Sequence, residues 1–313
     1  MITKDIHNAL DKFNAEYIQF EVFQKAFTAI EDNLSLYRQT GIAENLLVVA
    51  ESGCGKTSLC HLLQERYPRD ALPERDVIPI LSVAVPPVAS LNSLSEAMLA
   101  ALGHPTPKSG TLTRKTTMFI TLAKACGIEM ILFDEAQHLH DRGQVRSHYL
   151  ASDWIKQLTD ALKIPIVFLG LPRTESLLIV NEQLRRRFSK KIFLSLERHY
   201  TEDLSKQCLQ MLLSLSQTFP VRIVAGEYGW DEFSARLYYA TDGRVAYIKK
   251  LMVNTLKFAL QADLKEVDPA DFGLVYKQEI WWEAEGELNP FHHDFCFRRL
   301  DRAGEPFAAG QGM

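Results

Sequence analysis

The sequence predicts an α/β fold in which a parallel five-stranded sheet is covered by helices, with a helical segment ahead of it and a smaller helical domain behind it. Three observations predict it. Five short apolar runs (Asn45 to Ala50, Val77 to Val85, Ile128 to Leu139, Ile164 to Gly170 and Lys191 to Leu196) alternate with stretches of helical period. The runs are near-continuous in their apolar residues, as strands buried on both faces of a parallel sheet must be. From Thr201 onward strand signals cease, and patterns such as DLSKQCLQMLLSLS and RVAYIKKLMVNTLKFAL take over.

In chain order, Phe20, Phe23, Phe27, Ile30 and Leu34 recur at three- and four-residue steps between Tyr17 and Arg38. That is the apolar stripe of one or two amphipathic helices, so residues 1–40 are read as an N-terminal helical collar. NLLVVA then enters a glycine-containing loop, and SLCHLLQERY continues with helical spacing, giving strand, loop and helix. VIPILSVAV is a second strand, a helix covers Leu91 to Leu102, a loop covers His104 to Thr111, and a further helix runs to Cys126. IEMILFDEAQHL is a buried strand ending in two carboxylates, and a polar loop leads from it to a helix around Tyr149 to Leu162. These elements set an α/β core at 41–199, with its boundary near His199, and a helical lid domain at 200–285. From about Gly286 an Asn-Pro step, glycines and mixed polar residues predict a tail, 286–313, without a core of its own.

Composition narrows the class. Hydrophobic residues make up 47% of the 313 and charged residues 24%, enough apolar material for a sizeable core. A net charge of −4 excludes a body that is basic overall, so any contact with nucleic acid must come from local patches. The five cysteines, Cys54, Cys60, Cys126, Cys208 and Cys296, form no CxxC pair and point to a reducing cytoplasm. Asp, Glu and Lys interrupt the apolar positions near the N-terminus, which argues against a secretory signal, and no run of about 18 uncharged apolar residues offers a membrane span.

The chemistry is concentrated in two motifs. AESGCGKT matches the phosphate-loop (Walker A) pattern GxxxxGK[ST] except at its first position, where Ala50 replaces glycine. Gly53 and Gly55 let the backbone fold so that successive N–H groups face phosphate oxygens, and the following helix adds its positive N-terminal end. Ser52, Gly53, Cys54, Gly55, Lys56, Thr57 and Ser58 are the candidate nucleotide-binding residues, with Lys56 reaching the β- and γ-phosphates and Thr57 binding Mg²⁺. ILFDE (Walker B) delivers Asp134 at a strand end, where a carboxylate that organises the metal must sit. Glu135 is placed to polarise an attacking water, which marks ATP hydrolysis over phosphate transfer to a metabolite. NEQLRRRF sets Arg185, Arg186 and Arg187 before the fifth strand, any one of them a solvated turn residue or an arginine finger to a neighbouring subunit, with Arg187 the first choice. TDGRVAYI puts Arg244 at a helix start, either exposed in a turn or able to close over the phosphates.

Together these phrases resemble AAA+ ATPases and, among them, the transposition regulators of the TniB and TnsC type. ENLLVVAESGCGKTSL, ILFDEAQHL, IPIVFLGLP, NEQLRRRF and TDGRVAYI carry the resemblance in that order, from about Tyr17 to Arg244. It implies an AAA+ core that assembles, ATP-bound, as a hexameric or heptameric ring or a helical filament around duplex DNA. Such an assembly links a target-selecting protein to a transposase, and hydrolysis takes it apart. On this sequence the resemblance gives Lys56, Thr57, Asp134 and Glu135 the nucleotide roles, Arg187 the finger and Arg244 the second sensor. One departure stands out: many AAA+ proteins end the fourth strand with a polar residue that senses the γ-phosphate, whereas here it closes on Gly170, Leu171 and Pro172.

A ring around DNA needs donors on pore-facing loops. KSGTLTRKTT, with Lys108, Thr111, Arg114, Lys115 and Thr116, is one candidate, and HDRGQVRSHY, with Arg142, Arg146 and His148, is another. The resemblance favours the first. From Asp263 to Glu287 eight carboxylates face only Lys265 and Lys277, a stretch that repels DNA and suits an outward face or a protein partner, with Trp281 and Trp282 in its midst. His292, His293 and Cys296 lack a convincing fourth ligand for zinc. Competing readings are an AAA+ initiator or secretion-type ATPase, a monomeric small-molecule kinase, and a nucleotide switch with negligible hydrolysis.

Overall fold

The computed structural model of the protein describes residues 8, 10, 21–73, 75–87, 90–139, 145–180, 182–194 and 201–308. The chain divides into two compact units, one over Val22–Leu194 and a second whose described part lies mainly in 201–308. The expected boundary at His199 and the start of the collar, 17–20, lie outside the described residues.

In the first unit, helix α1 (Glu21–Thr40) precedes strand β1 (Leu46–Val49), the phosphate loop and α2 (Lys56–Arg66). A two-residue antiparallel pair, β2 (Asp70–Ala71) with β3 (Asp76–Val77), precedes β4 (Ile80–Ala84). The predicted strand from Val77 is therefore split, and Pro79, which has no N–H to give a ladder, stands at the break. Then come α3 (Leu91–Ala101), α4 (Leu112–Ala125), β5 (Met130–Asp134), α5 (Val145–Leu162), β6 (Ile166–Gly170), α6 (Glu175–Val180), α7 (Glu182–Arg187) and β7 (Lys190–Phe193).

The five main strands lie in the order β4-β5-β6-β1-β7, and all are parallel. Side-chain alternation sorts their residues onto two faces. Leu47, Val49, Ile131, Phe133, Ile166 and Phe168 pack with Met98, Phe119, Trp154 and Leu158 on one side. Leu46, Val48, Met130, Leu132, Val167 and Leu169 pack with Ala26, Ile30 and Leu34 of α1 and with Leu59 and Leu63 of α2 on the other. The N-terminal helix is thus a wall of the core.

In the second unit, α8 (Glu202–Thr218), α9 (Gly229–Thr241), α10 (Val245–Gln261) and α11 (Pro269–Glu279) are joined by a short parallel pair, β8 (Arg222–Ile223) with β9 (Glu266–Val267). Residues 286–308, expected as a tail without a core, instead pack on these helices: Phe291, Phe295, Leu300 and Phe307 are buried. Arg236 captures the segment, donating from Nη1 to the Pro290 and His292 carbonyls at 2.7 Å each while its guanidinium lies over the Tyr228 ring. Main-chain capture of this kind leaves no periodic trace in the sequence. No described helix is long and apolar enough to cross a membrane.

Candidate nucleotide site

Strand β1 sits between β6 and β7, so its loop emerges within the sheet's C-terminal edge, where α/β sheets place ligands. The Ala50 N–H donates to the Gly170 carbonyl at 2.9 Å and ties the start of the loop to the end of β6. Gly53 and Gly55 have φ of 81° and 92°, the left-handed region in which a side chain is strained. A Cβ on Gly55 would also stand 3.3 Å from the Phe23 ring, so α1 backs the loop directly. Gly55 is the N-cap of α2 and has no side chain to occupy the first-turn N–H groups.

Lys56 is buried, and its ammonium donates to the Ala50 and Glu51 carbonyls at 3.3 and 3.1 Å, inside the loop it would serve. The Thr57 hydroxyl donates to Asp134 Oδ2 at 2.6 Å, joining the two motifs across the sheet edge. The other oxygen, Asp134 Oδ1, accepts from the Glu135 N–H at 2.8 Å. Glu135 itself takes φ 56°, unusual for a non-glycine residue, where β5 gives way to a 3₁₀ turn over Ala136–Leu139. Its carboxylate accepts from Gln137 Nε2. Behind the loop, burial pushes the Cys60 thiol up, and the Asp134 charge reinforces the effect, so Cys60 is a protonated, inert packing group.

Of the other sequence-predicted residues, Lys108, Thr111 and Arg114 are exposed around the start of α4, and Thr111 caps it by accepting from the Arg114 N–H at 3.4 Å. Lys115 is a correction. It is 1% exposed and bonds Glu96 at 2.5 Å and Asn92 at 2.9 Å, because it falls on the face of α4 turned toward α3. It has no path to a phosphate. Arg142 lies outside the described residues, as do the side chains of Arg146 and His148.

Arg187 pairs with Asp160 at 2.7 Å, and Arg186 pairs with Glu182 at 2.7 Å, whereas Arg185 is exposed and has no ion pair among the described residues. Arg186 and Arg187 line a cleft of about 880 Å³ with Lys163, Lys190 and Asp160. Stacking of Phe188 on Phe168, 4.4 Å between ring centres, fixes the end of α7. In the second unit, Arg244 is the N-cap of α10 and pairs with Asp242 at 3.1 Å. Arg299, from the C-terminal segment, grips the same carboxylate through two bonds of 2.6 Å. Elsewhere in this unit, His292, His293 and Asp294 bring ligand atoms within 4.8 Å of one another, while the Cys296 thiol bonds the Asp294 carbonyl.

Sequence reasoning missed Gln137, Asp242 and Arg299. Gln137 follows the carboxylate pair in the run AQHL, and the burial of its amide leaves no mark in the sequence. The Asp242–Arg299 pair spans 57 residues and has no local signature.

The fold is that of the AAA+ ATPases. Cdc6p from Pyrobaculum aerophilum is similar at 15% identity with a TM-score of 0.63, over 85% of this chain and 70% of that one. The ORC2 protein of Aeropyrum pernix, solved as ADPNP–ADP complexes, is similar at 11% identity and TM-score 0.62, over 87% and 72% of the two chains. The ORC1 protein of Aeropyrum pernix, solved with DNA, is similar at 15% identity and TM-score 0.62, over 82% and 64%. Identities this low speak to fold alone. No curated protein matches the sequence. The model of the bacterial TniB protein family matches residues 12–197, more than half of the chain, including the phosphate loop, Asp134 and Glu135, and the chain belongs to the TniB family.

Proposed function

We propose that this protein is an ATP-dependent, DNA-associated regulator of transposition that assembles on duplex DNA, links a target selector to a transposase, and is disassembled by ATP hydrolysis. The observation that carries the reading is the convergence of the phosphate loop, Thr57, Asp134 and Glu135 at one sheet edge in a TniB-family chain.

ATP is the substrate, held by the N–H groups of residues 52–58 and by Lys56, which leaves its loop carbonyls for the β- and γ-phosphates. The Thr57 hydroxyl and Asp134 carboxylate, 2.6 Å apart, are the hard oxygen donors that suit Mg²⁺, and they are the residues that would hold it. When bound, the ion supplies neutralisation of charge on the phosphates. Glu135 orients the water and takes its proton as the water oxygen bonds to the γ-phosphorus; the bond from phosphorus to the bridging oxygen breaks, and ADP and phosphate leave. Arg187, freed from Asp160, reaches a neighbouring copy's γ-phosphate, and Arg244 closes over the phosphates from the helical unit. Arg185, without an ion pair among the described residues, is the alternative finger. Lys108, Thr111 and Arg114 contact DNA phosphates without reading bases.

The test is ATP-dependent assembly of paired variants. Lys56→Ala is expected to abolish assembly on DNA, and Glu135→Gln to bind ATP and trap the assembled form. Glu135→Gln protein that assembles no better than Lys56→Ala protein would contradict the mechanism. An initiator acting at replication origins is the second reading, which the same fold accommodates; preference for one DNA sequence over all others in the same assay would support it.

A further inference from the structure

At the end of β6, where the resemblance leads one to expect a polar side chain, stands Gly170, and the space over its Cα is filled from elsewhere. A Cβ there would lie 2.1 Å from Thr174 Oγ1 and 3.1 Å from Gln137 Oε1. Two polar side chains therefore converge on one point of backbone, and alanine in place of Gly170 would displace them. Gln137, 1% exposed, uses both ends of its carboxamide: Nε2 donates to the Glu135 carboxylate, and Oε1 accepts from the Leu171 N–H at 3.1 Å. Thr174 is fully buried, yet its hydroxyl has no partner among the described residues.

A buried hydroxyl left without a partner destabilises the fold. Packing alone does not require it, since valine has the same shape. The 3₁₀ turn that carries Thr174 is closed by its N–H on the Leu171 carbonyl at 2.8 Å, so the hydroxyl is fixed beside the residue whose N–H holds Gln137. Glu135 for its part sits in a left-handed conformation, φ 56°, that a non-glycine residue holds only when its surroundings enforce it.

We propose that Gln137 is a positioning residue for the hydrolytic step and that Thr174 is its second partner. In the arrangement described here the carboxamide restrains Glu135. When Glu135 engages the attacking water, Nε2 turns from its carboxylate to the Thr174 hydroxyl, pivoting about the bond from Leu171 N–H to Oε1. Gly170 supplies the clearance for that turn. The polar group missing from the strand end is thereby provided by the following turn, and the end of β6 is coupled to the base through two discrete hydrogen-bonded arrangements. This rests on the reading of Glu135 as the group that polarises water.

Steady-state ATP hydrolysis and fluorescent-nucleotide affinity, measured together on the full chain, test it. Gln137→Ala is expected to lower kcat about 10²-fold, the cost of a misplaced catalytic group, with nucleotide Kd changed by less than about twofold. Thr174→Val keeps the shape and removes the hydroxyl, and should lower kcat about tenfold, the worth of one ordinary hydrogen bond. Thr174→Ser should restore it. A merely structural Gln137 would lower nucleotide affinity along with kcat, and Thr174→Ser would not recover what Thr174→Val loses. Thr174→Val protein with wild-type kcat, or a Gln137→Ala loss that falls on nucleotide affinity with kcat retained, would overturn the proposal. Wild-type protein that binds ATP without hydrolysing it would overturn the reading of Glu135, and the proposal with it.

Discussion

At the scale of single residues, the contrast between Arg114 and Lys115 shows how helical phase decides which of two adjacent cations meets solvent. The two are neighbours in a basic run, yet Arg114 is exposed and Lys115 is buried against Glu96. Arg114→Ala is therefore expected to weaken DNA binding and to reduce its salt slope by about one, as loss of one phosphate contact does. Lys115→Ala should instead destabilise the first unit by about 2 kcal/mol, less than for a fully buried pair because Glu96 keeps some contact with water, and should leave the salt slope unchanged. Salt-dependent binding titrations and urea denaturation of both variants check this. Residues in the phosphate loop were legible because their chemistry demands adjacent positions in sequence. Lys115 was not, because a run of charge says nothing of which face of a helix each residue occupies until the apolar residues around it are assigned a side. Gln137 and Thr174 were illegible for another reason: their meeting place is made by a strand end and a turn 34 residues apart, the separation of Gln137 and Leu171.

At the scale of elements, α1 and the C-terminal segment each prove to be part of a packed unit. Phe23 packs at 3.3 Å from where a Gly55 side chain would begin, so the collar helix shapes the phosphate loop as well as the core. Phe23→Ala is expected to cost about 3–5 kcal/mol in chemical denaturation and to weaken nucleotide binding at the same time. The helix was legible from its three- and four-residue apolar steps, and its contact with the loop was not. In the second unit the segment 286–308 is pinned by polar bonds. Arg298 donates to both Glu305 oxygens, at 2.9 and 2.5 Å, and holds that carboxyl below its ordinary value of 4.5. A carboxyl depressed on folding lends stability that is present above the unfolded value and is lost as pH falls through the folded one. The segment should therefore stay docked above about pH 4.5 and loosen below it, with Glu305→Gln flattening that dependence. Fluorescence of the buried Trp281 across an acid titration is the check. Its composition, rich in turn residues and single aromatics, carries no period, which is why a packed segment reads as a tail.

At the scale of the whole molecule, the five-stranded order β4-β5-β6-β1-β7 brings the phosphate loop, the Asp134–Glu135 pair and the Gly170 strand end to one edge. Right-handed crossovers between parallel strands constrain such a sheet without fixing its order, so five parallel strands were legible in the sequence and their order was not. Assembly is a property of many copies. On the proposed reading its carriers are the arginine cluster at the end of α7, the exposed donors around the start of α4, and Arg244, which shares the Asp242 carboxylate with Arg299. Each has a partner within the chain or faces solvent, so the proposed roles call for a neighbouring copy, DNA or nucleotide. Size-resolved light scattering of the protein with a fluorescent DNA duplex at moderate salt, comparing ATP, a non-hydrolysable analogue and ADP, tests the central claim most directly. Large DNA-bound assemblies with ATP and its analogue, absent with ADP, are the expected result, and a monomer indifferent to both DNA and nucleotide would contradict it.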